Sequence, residues 1–176
     1  MIRASLLFLL LLSLPAQADD ALARLQADLE RGPSATEVLT RWCGAAHLAD
    51  PPQVHAEQVH EPHPAGPAER ALLKVSDKEP VAYRRVRLTC GGHVLSEADN
   101  WYVPARLTAA MNHTLETSDT PFGTVVKPLN FHRVTLRAEP LIQGRTIFQV
   151  QAVLLTPQDN PISLVVENYQ QDLLGR

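Results

Sequence analysis

Residues 81–103 read VAYRRVRLTC-GG-HVLSEADNWYV. Tyr83, Arg85 and Arg87 alternate with Arg84, Val86, Leu88 and Cys90, the period-two pattern of a strand with one buried face. Gly91-Gly92 supplies the positive backbone angles that a tight hairpin turn needs. Val94 to Val103 returns, and Pro104 ends it. One hairpin of this length predicts an antiparallel sheet.

The flanking segments extend the pattern. Asp20 to Arg31 places Leu22, Leu25 and Leu29 on one helical stripe, which Gly32-Pro33 stops. Ser34-Ala35-Thr36-Glu37 has the S-x-x-E form of a capping box and opens a second helix through Val38, Leu39 and Trp42. Val54 to His60 fits a strand, His60 to Pro67 a proline-rich loop, and Ala71 to Val75 a short strand. Thr108 caps a helix whose face is Leu107, Met111 and Leu115. Thr120-Pro121-Phe122-Gly123 begins a turn that Pro128 closes. His132 to Ala138 alternates, with Val134, Leu136 and Ala138 expected inward and Arg133, Thr135 and Arg137 outward. Thr146 to Leu155 and Ile162 to Tyr169 are two further strands across a polar turn. Helices at the start and middle with hairpin-linked strands give an α+β fold, a single antiparallel sheet with helices packed on one side.

Composition narrows the function. The 176-residue chain suits one domain. Arg3, the apolar run Leu6 to Leu14 and the small-x-small site Ala16-Gln17-Ala18 predict a secretory signal peptide over 1–18 and one domain over 19–176. The run is too short for a comfortable bilayer span, so no membrane association is expected after cleavage, and a periplasmic or secreted location is. The net charge of −3 becomes more acidic without Arg3. With no basic patch, nucleic acid is excluded as a partner. Cys43 and Cys90 are the two cysteines, and an exported chain favours a bridge between them over two buried thiols. Oligomeric state is not legible.

Chemistry concentrates in few residues. His55, His60 and His63 lack the helical spacing and acidic company of a metal site and read as surface histidines. There is no G-x-S-x-G elbow and no phosphate loop. Glu167 directly follows the apolar run Ile162 to Val166, where an unpaired carboxylate is costly. Arg84 shares the apolar side of its strand with Val86 and Leu88, so it needs an anion: Glu167 or a ligand carboxylate. A structural ion pair or a solvated strand end is the plainer reading of the same residues.

In their order, Ser34-x-Thr36, the strand Tyr83-Arg84-Arg85-Val86-Arg87-Leu88, the return Trp101-Tyr102-Val103-Pro104, Thr120-Pro121-Phe122-Gly123 and Leu164-Val165-Val166-Glu167 resemble the chorismate-pyruvate lyase family. The resemblance covers most of residues 19–176. It implies a chorismate lyase-like fold with an enclosed ligand site and no metal or organic cofactor. It implies elimination of pyruvate from chorismate to leave 4-hydroxybenzoate, with Glu167 as the acid and an arginine on the ligand carboxylate. That arginine is Arg84 by face parity, or Arg85 by gapless spacing to Pro104; parity favours Arg84. Phe122 takes a leucine position on the pocket wall, and Ala35 a methionine position. Apolar neighbours are expected to raise the Glu167 pKa. Chorismate is cytosolic and the leader predicts export, so the alternative is a non-catalytic binding module for a small aromatic carboxylate. The same fold also serves as an effector-binding domain in bacterial transcription regulators.

Overall fold

A computed structural model describes residues 14–32 and 34–174. Of the leader predicted over 1–18, positions 1–13 lie outside the described residues. Six strands form one antiparallel sheet: β1 (His55–Val59), β2 (Ala82–Cys90), β3 (His93–Tyr102), β4 (His132–Gln143), β5 (Thr146–Leu155) and β6 (Pro161–Gln170). Their spatial order is β1-β2-β3-β6-β5-β4. The last strand is thus central, between β3 and β5, which explains why it is apolar almost continuously rather than alternately. Glu167 lies in the middle of the sheet, not at a wet end.

Four helices gather on one face: α1 (Leu14–Arg31), α2 (Ala35–Ala45), α4 (Ala109–Thr117) and the single turn α5 (Phe122–Val125). Ser34 caps α2 by accepting the Glu37 amide, and Thr108 caps α4 by accepting that of Met111. The main core lies between these helices and the sheet, with Leu25, Val38, Leu39, Leu95, Leu115 and Tyr169 at its centre. Gly91 and Gly92 take φ of 58° and 81°, and the β2–β3 hairpin closes as expected. Cys43 and Cys90 form a disulfide that ties the end of α2 to the end of β2.

Two expectations are corrected. Ala71 to Val75 is not a strand; it belongs to α3 (Pro67–Leu73) and the residues that leave it. Pro67 opens that helix, the Gly66 amide donates to Glu69, and Lys74 ends it in a left-handed conformation. Leu73 packs on the opposite face of the sheet with Trp101, Val103, Val153 and Leu164. The faces of β4 are also reversed at its start. Arg133 pairs with Leu154 on the helix-covered face, whereas Val134, opposite Val153 on the other face, is 43% exposed and Leu136, at the bulge, is 44% exposed. β4 is an edge strand, half covered, so the positions of its apolar residues do not report the buried side. A bulge between Thr135 and Arg137 then returns Ala138 to the core side, as expected for that residue.

Candidate functional site

Cross-strand register sets the floor of the site. Arg84 on β2 faces Asn100 on β3, which faces Val165 on β6; one row along, Val86, Ala98 and Glu167 follow in the same order. Ala98 is the small residue in the middle of that floor. Strand spacing separates Arg84 and Glu167 by about 10 Å sideways. The roof is made by the start of α2, Ser34 to Thr36, and by Pro121-Phe122-Gly123. These two segments touch: a Cβ on Gly123 would meet Thr36 Oγ1 at 3.3 Å and Ser34 Cβ at 3.4 Å. The Phe122 ring is held against Tyr102, centroids 5.5 Å apart. The resulting cavity offers about 50 Å³ to the centre of a water molecule, room for roughly three to five waters. Its wall is largely apolar.

Ala35, Arg84, Phe122 and Glu167 all line this one cavity. Arg85 does not. It lies on the opposite face, in ion pairs with Glu61 at 3.0 Å and Glu97 at 3.8 Å. The parity of β2 therefore places Arg84, not Arg85, at the cavity.

Arg84 is 6% exposed, and among the described residues it has no carboxylate within ion-pair distance. Its Nη2 donates to the Ser118 carbonyl at 3.1 Å, and its Nε is buried without a partner. Burial pulls its pKa down, with Tyr102 and Asp119 opposing from a distance. Asp119 itself sits at the surface, paired with His55 at 2.7 Å.

Glu167 has a cation, but a different one. Arg133 Nη2 donates to its Oε2 at 2.5 Å, and the Tyr169 hydroxyl donates to the same oxygen at 2.8 Å. The neighbours of the carboxylate are thus a guanidinium and a phenol, not the apolar shell expected. Burial works against the Arg133 charge, but Glu167 and Tyr169 outweigh it and hold that guanidinium more firmly protonated than usual. Burial, then Glu167, pushes the Tyr169 phenol well above its ordinary range. Glu167 Oε1 takes no hydrogen bond from the described residues. Arg133 and Asn100 complete the polar wall, and sequence reasoning missed both. The one signal for Arg133 was its place two residues before Thr135 and opposite the apolar β5, which requires the register to be known. Among the described residues no His, Cys, Asp or Glu cluster could hold a metal ion.

No protein-family model matches the chain. A search among curated proteins finds the uncharacterized protein y4mC of Sinorhizobium fredii (strain NBRC 101917 / NGR234), 42% identical, with 91% of this chain and 79% of that protein aligned. The chain belongs to the same family as y4mC. Among solved structures, the effector domain of PhnF from Mycobacterium smegmatis superposes with a TM-score of 0.59 at 16% identity, over 80% of this chain and 90% of that one. The ligand-binding domain of a protein assigned to the GntR family of transcriptional regulators, from Bordetella bronchiseptica, does so at 0.51 and 17%, over 68% and 84%. The sheet, with four of its helices gathered on one face, is a chorismate lyase-like fold, the fold of GntR effector domains. At these identities the likeness concerns the fold.

Proposed function

We propose that this chain is an exported small-molecule binding protein whose ligand is a carboxylate carried on an apolar, aromatic body. The observation that carries this reading is Arg84: a buried cation facing a largely apolar cavity with no anion among the described residues to neutralise it. Such a charge is costly when empty and is matched by a ligand carboxylate, which a guanidinium grips with two parallel hydrogen bonds. The apolar wall of Ala35, Val86, Ala98 and Phe122 suits a ring. Ligand-binding and effector domains among the fold's solved examples support binding as the task of the cavity. The leader sequence over 1–18 supports work outside the cytoplasm.

A second reading, pyruvate elimination, has one observation of its own. Glu167 lines the cavity with Oε1 free of hydrogen bonds from the described residues, across the floor from Arg84. In that reaction the ring–ether bond of chorismate breaks, the enolpyruvyl group gains a proton to leave as pyruvate, and the ring loses one to become 4-hydroxybenzoate.

One experiment separates the two. The purified mature chain, Asp19 to Arg176, is mixed with chorismate and assayed for pyruvate, beside a thermal-shift titration with 4-hydroxybenzoate. A shift that saturates without pyruvate release establishes the binder. Pyruvate release that disappears in Glu167→Gln establishes the lyase. Silence in both assays removes the carboxylate reading of the cavity.

A further inference from the structure

The charges around the cavity sum to a rule. Among the described residues two buried guanidiniums line it, Arg84 and Arg133, but only one carboxylate, Glu167. The Arg133 and Glu167 side chains are each 7% exposed and bonded to each other at 2.5 Å, so they cancel. Arg84 is left over. We infer that the Arg133–Glu167 pair is a charge filter, which restricts the site to ligands carrying one negative charge and rejects dianions of the same shape. This rests on the carboxylate-binding reading above and names the ligand class more narrowly.

The physical argument is the cost of an unbalanced charge out of water. A monocarboxylate on Arg84 brings the cavity to neutrality. A dicarboxylate on the same ring leaves one negative charge in excess, and its second carboxylate arrives beside Glu167. Arg133 has donors to spare, but its charge is already balanced by Glu167 through Nη2, so a hydrogen bond from it to a second carboxylate leaves the excess negative charge in place. Discrimination therefore comes from a built-in repulsion as much as from the attraction of Arg84. A neutral hydroxyl at that end is favoured instead, since it donates to Glu167 Oε1 and accepts from Arg133.

The test compares 4-hydroxybenzoate with benzene-1,4-dicarboxylate, which share a ring and one carboxylate and differ in the charge and bulk of the para group, by calorimetric titration of the purified protein; the variants separate charge from bulk. The wild-type protein binds the monoanion more tightly, by about tenfold or more. Glu167→Gln bares Arg133 and reverses the preference. Arg133→Gln leaves Arg84 and Glu167 to cancel, so neutral 4-hydroxybenzamide gains on 4-hydroxybenzoate. Either single variant suffices if the other does not fold. The double Arg133→Gln/Glu167→Gln variant, which has no bare charge beyond Arg84, returns to the monoanion. Single variants that bind with the wild-type preference overturn the filter while leaving the binding reading in place. A wild-type protein that binds neither compound overturns both.

Discussion

Two strands each send one arginine into the same cavity, and their situations are opposite. Arg84 comes from β2, inside the sheet, and meets no anion among the described residues. Arg133 comes from β4, at the edge, and is locked to Glu167. The difference separates two uses of a buried cation. A paired one holds the fold and fixes a carboxylate; an unpaired one is a vacancy in the charge balance that a ligand fills. Stability and binding should therefore respond to these residues in opposite ways.

The largest effect is expected from Arg133→Met. It strands Glu167 in the core and should destabilise the protein by about 3–5 kcal/mol, read by urea unfolding. Equal stability in variant and wild type would break the comparison from its structural side. Arg84→Met is expected to leave stability unchanged or slightly raised, while carboxylate affinity falls about 10- to 100-fold. A large loss of stability with retained affinity would break it from the other side.

Tyr169 sharpens the comparison, because it shares Glu167 with Arg133. Its folded-state pKa is raised, by burial first and then by Glu167. A raised pKa contributes stability that is fully present below the unfolded phenol value, about 10, and lost as pH climbs beyond it. Tyr169→Phe should flatten the alkaline decline by about 1.4 kcal/mol per pH unit, measured by melts between neutral pH and the alkaline transition. Tyr83 and Tyr102 are raised as well, by burial first, so part of the decline survives in the variant. The smallest effect belongs to Arg85→Ala. Its pairs are partly exposed, and a change of about 0.5 kcal/mol or less is expected, with ligand affinity untouched.

The same contrast explains what the sequence could reveal. On β2 the inward residues Val86, Leu88 and Cys90 are buried and Arg85 and Arg87 point outward, so alternation pointed to Arg84 without a structure. Glu167 was legible because a carboxylate in an apolar run is a conflict that demands a partner. The identity of that partner was not legible. On β4, Val134 and Leu136 are apolar yet half exposed, and Arg133 is charged yet buried. Edge position and the bulge after Thr135 hide the pattern, and only register through β5 and β6 reveals which carboxylate Arg133 meets. The short helix α3 was missed for a local reason. Ala71 to Val75 is too short for periodicity to distinguish helix from strand, although Gly66-Pro67 followed by Glu69 carried a start signal. The hairpin, the caps of α2 and α4 and the three C-terminal strands needed no such arbitration.

The disulfide between Cys43 and Cys90 encloses residues 44–89, including the exposed stretch from His60 to Pro64. A protease that cuts there would divide the chain between the helix that roofs the cavity and the strand that supplies Arg84. The two pieces would stay covalently joined, migrating as one band without reductant and as two with it. In a compartment where peptide bonds are under attack, a chain nicked at this exposed loop would keep roof and floor on one covalent body.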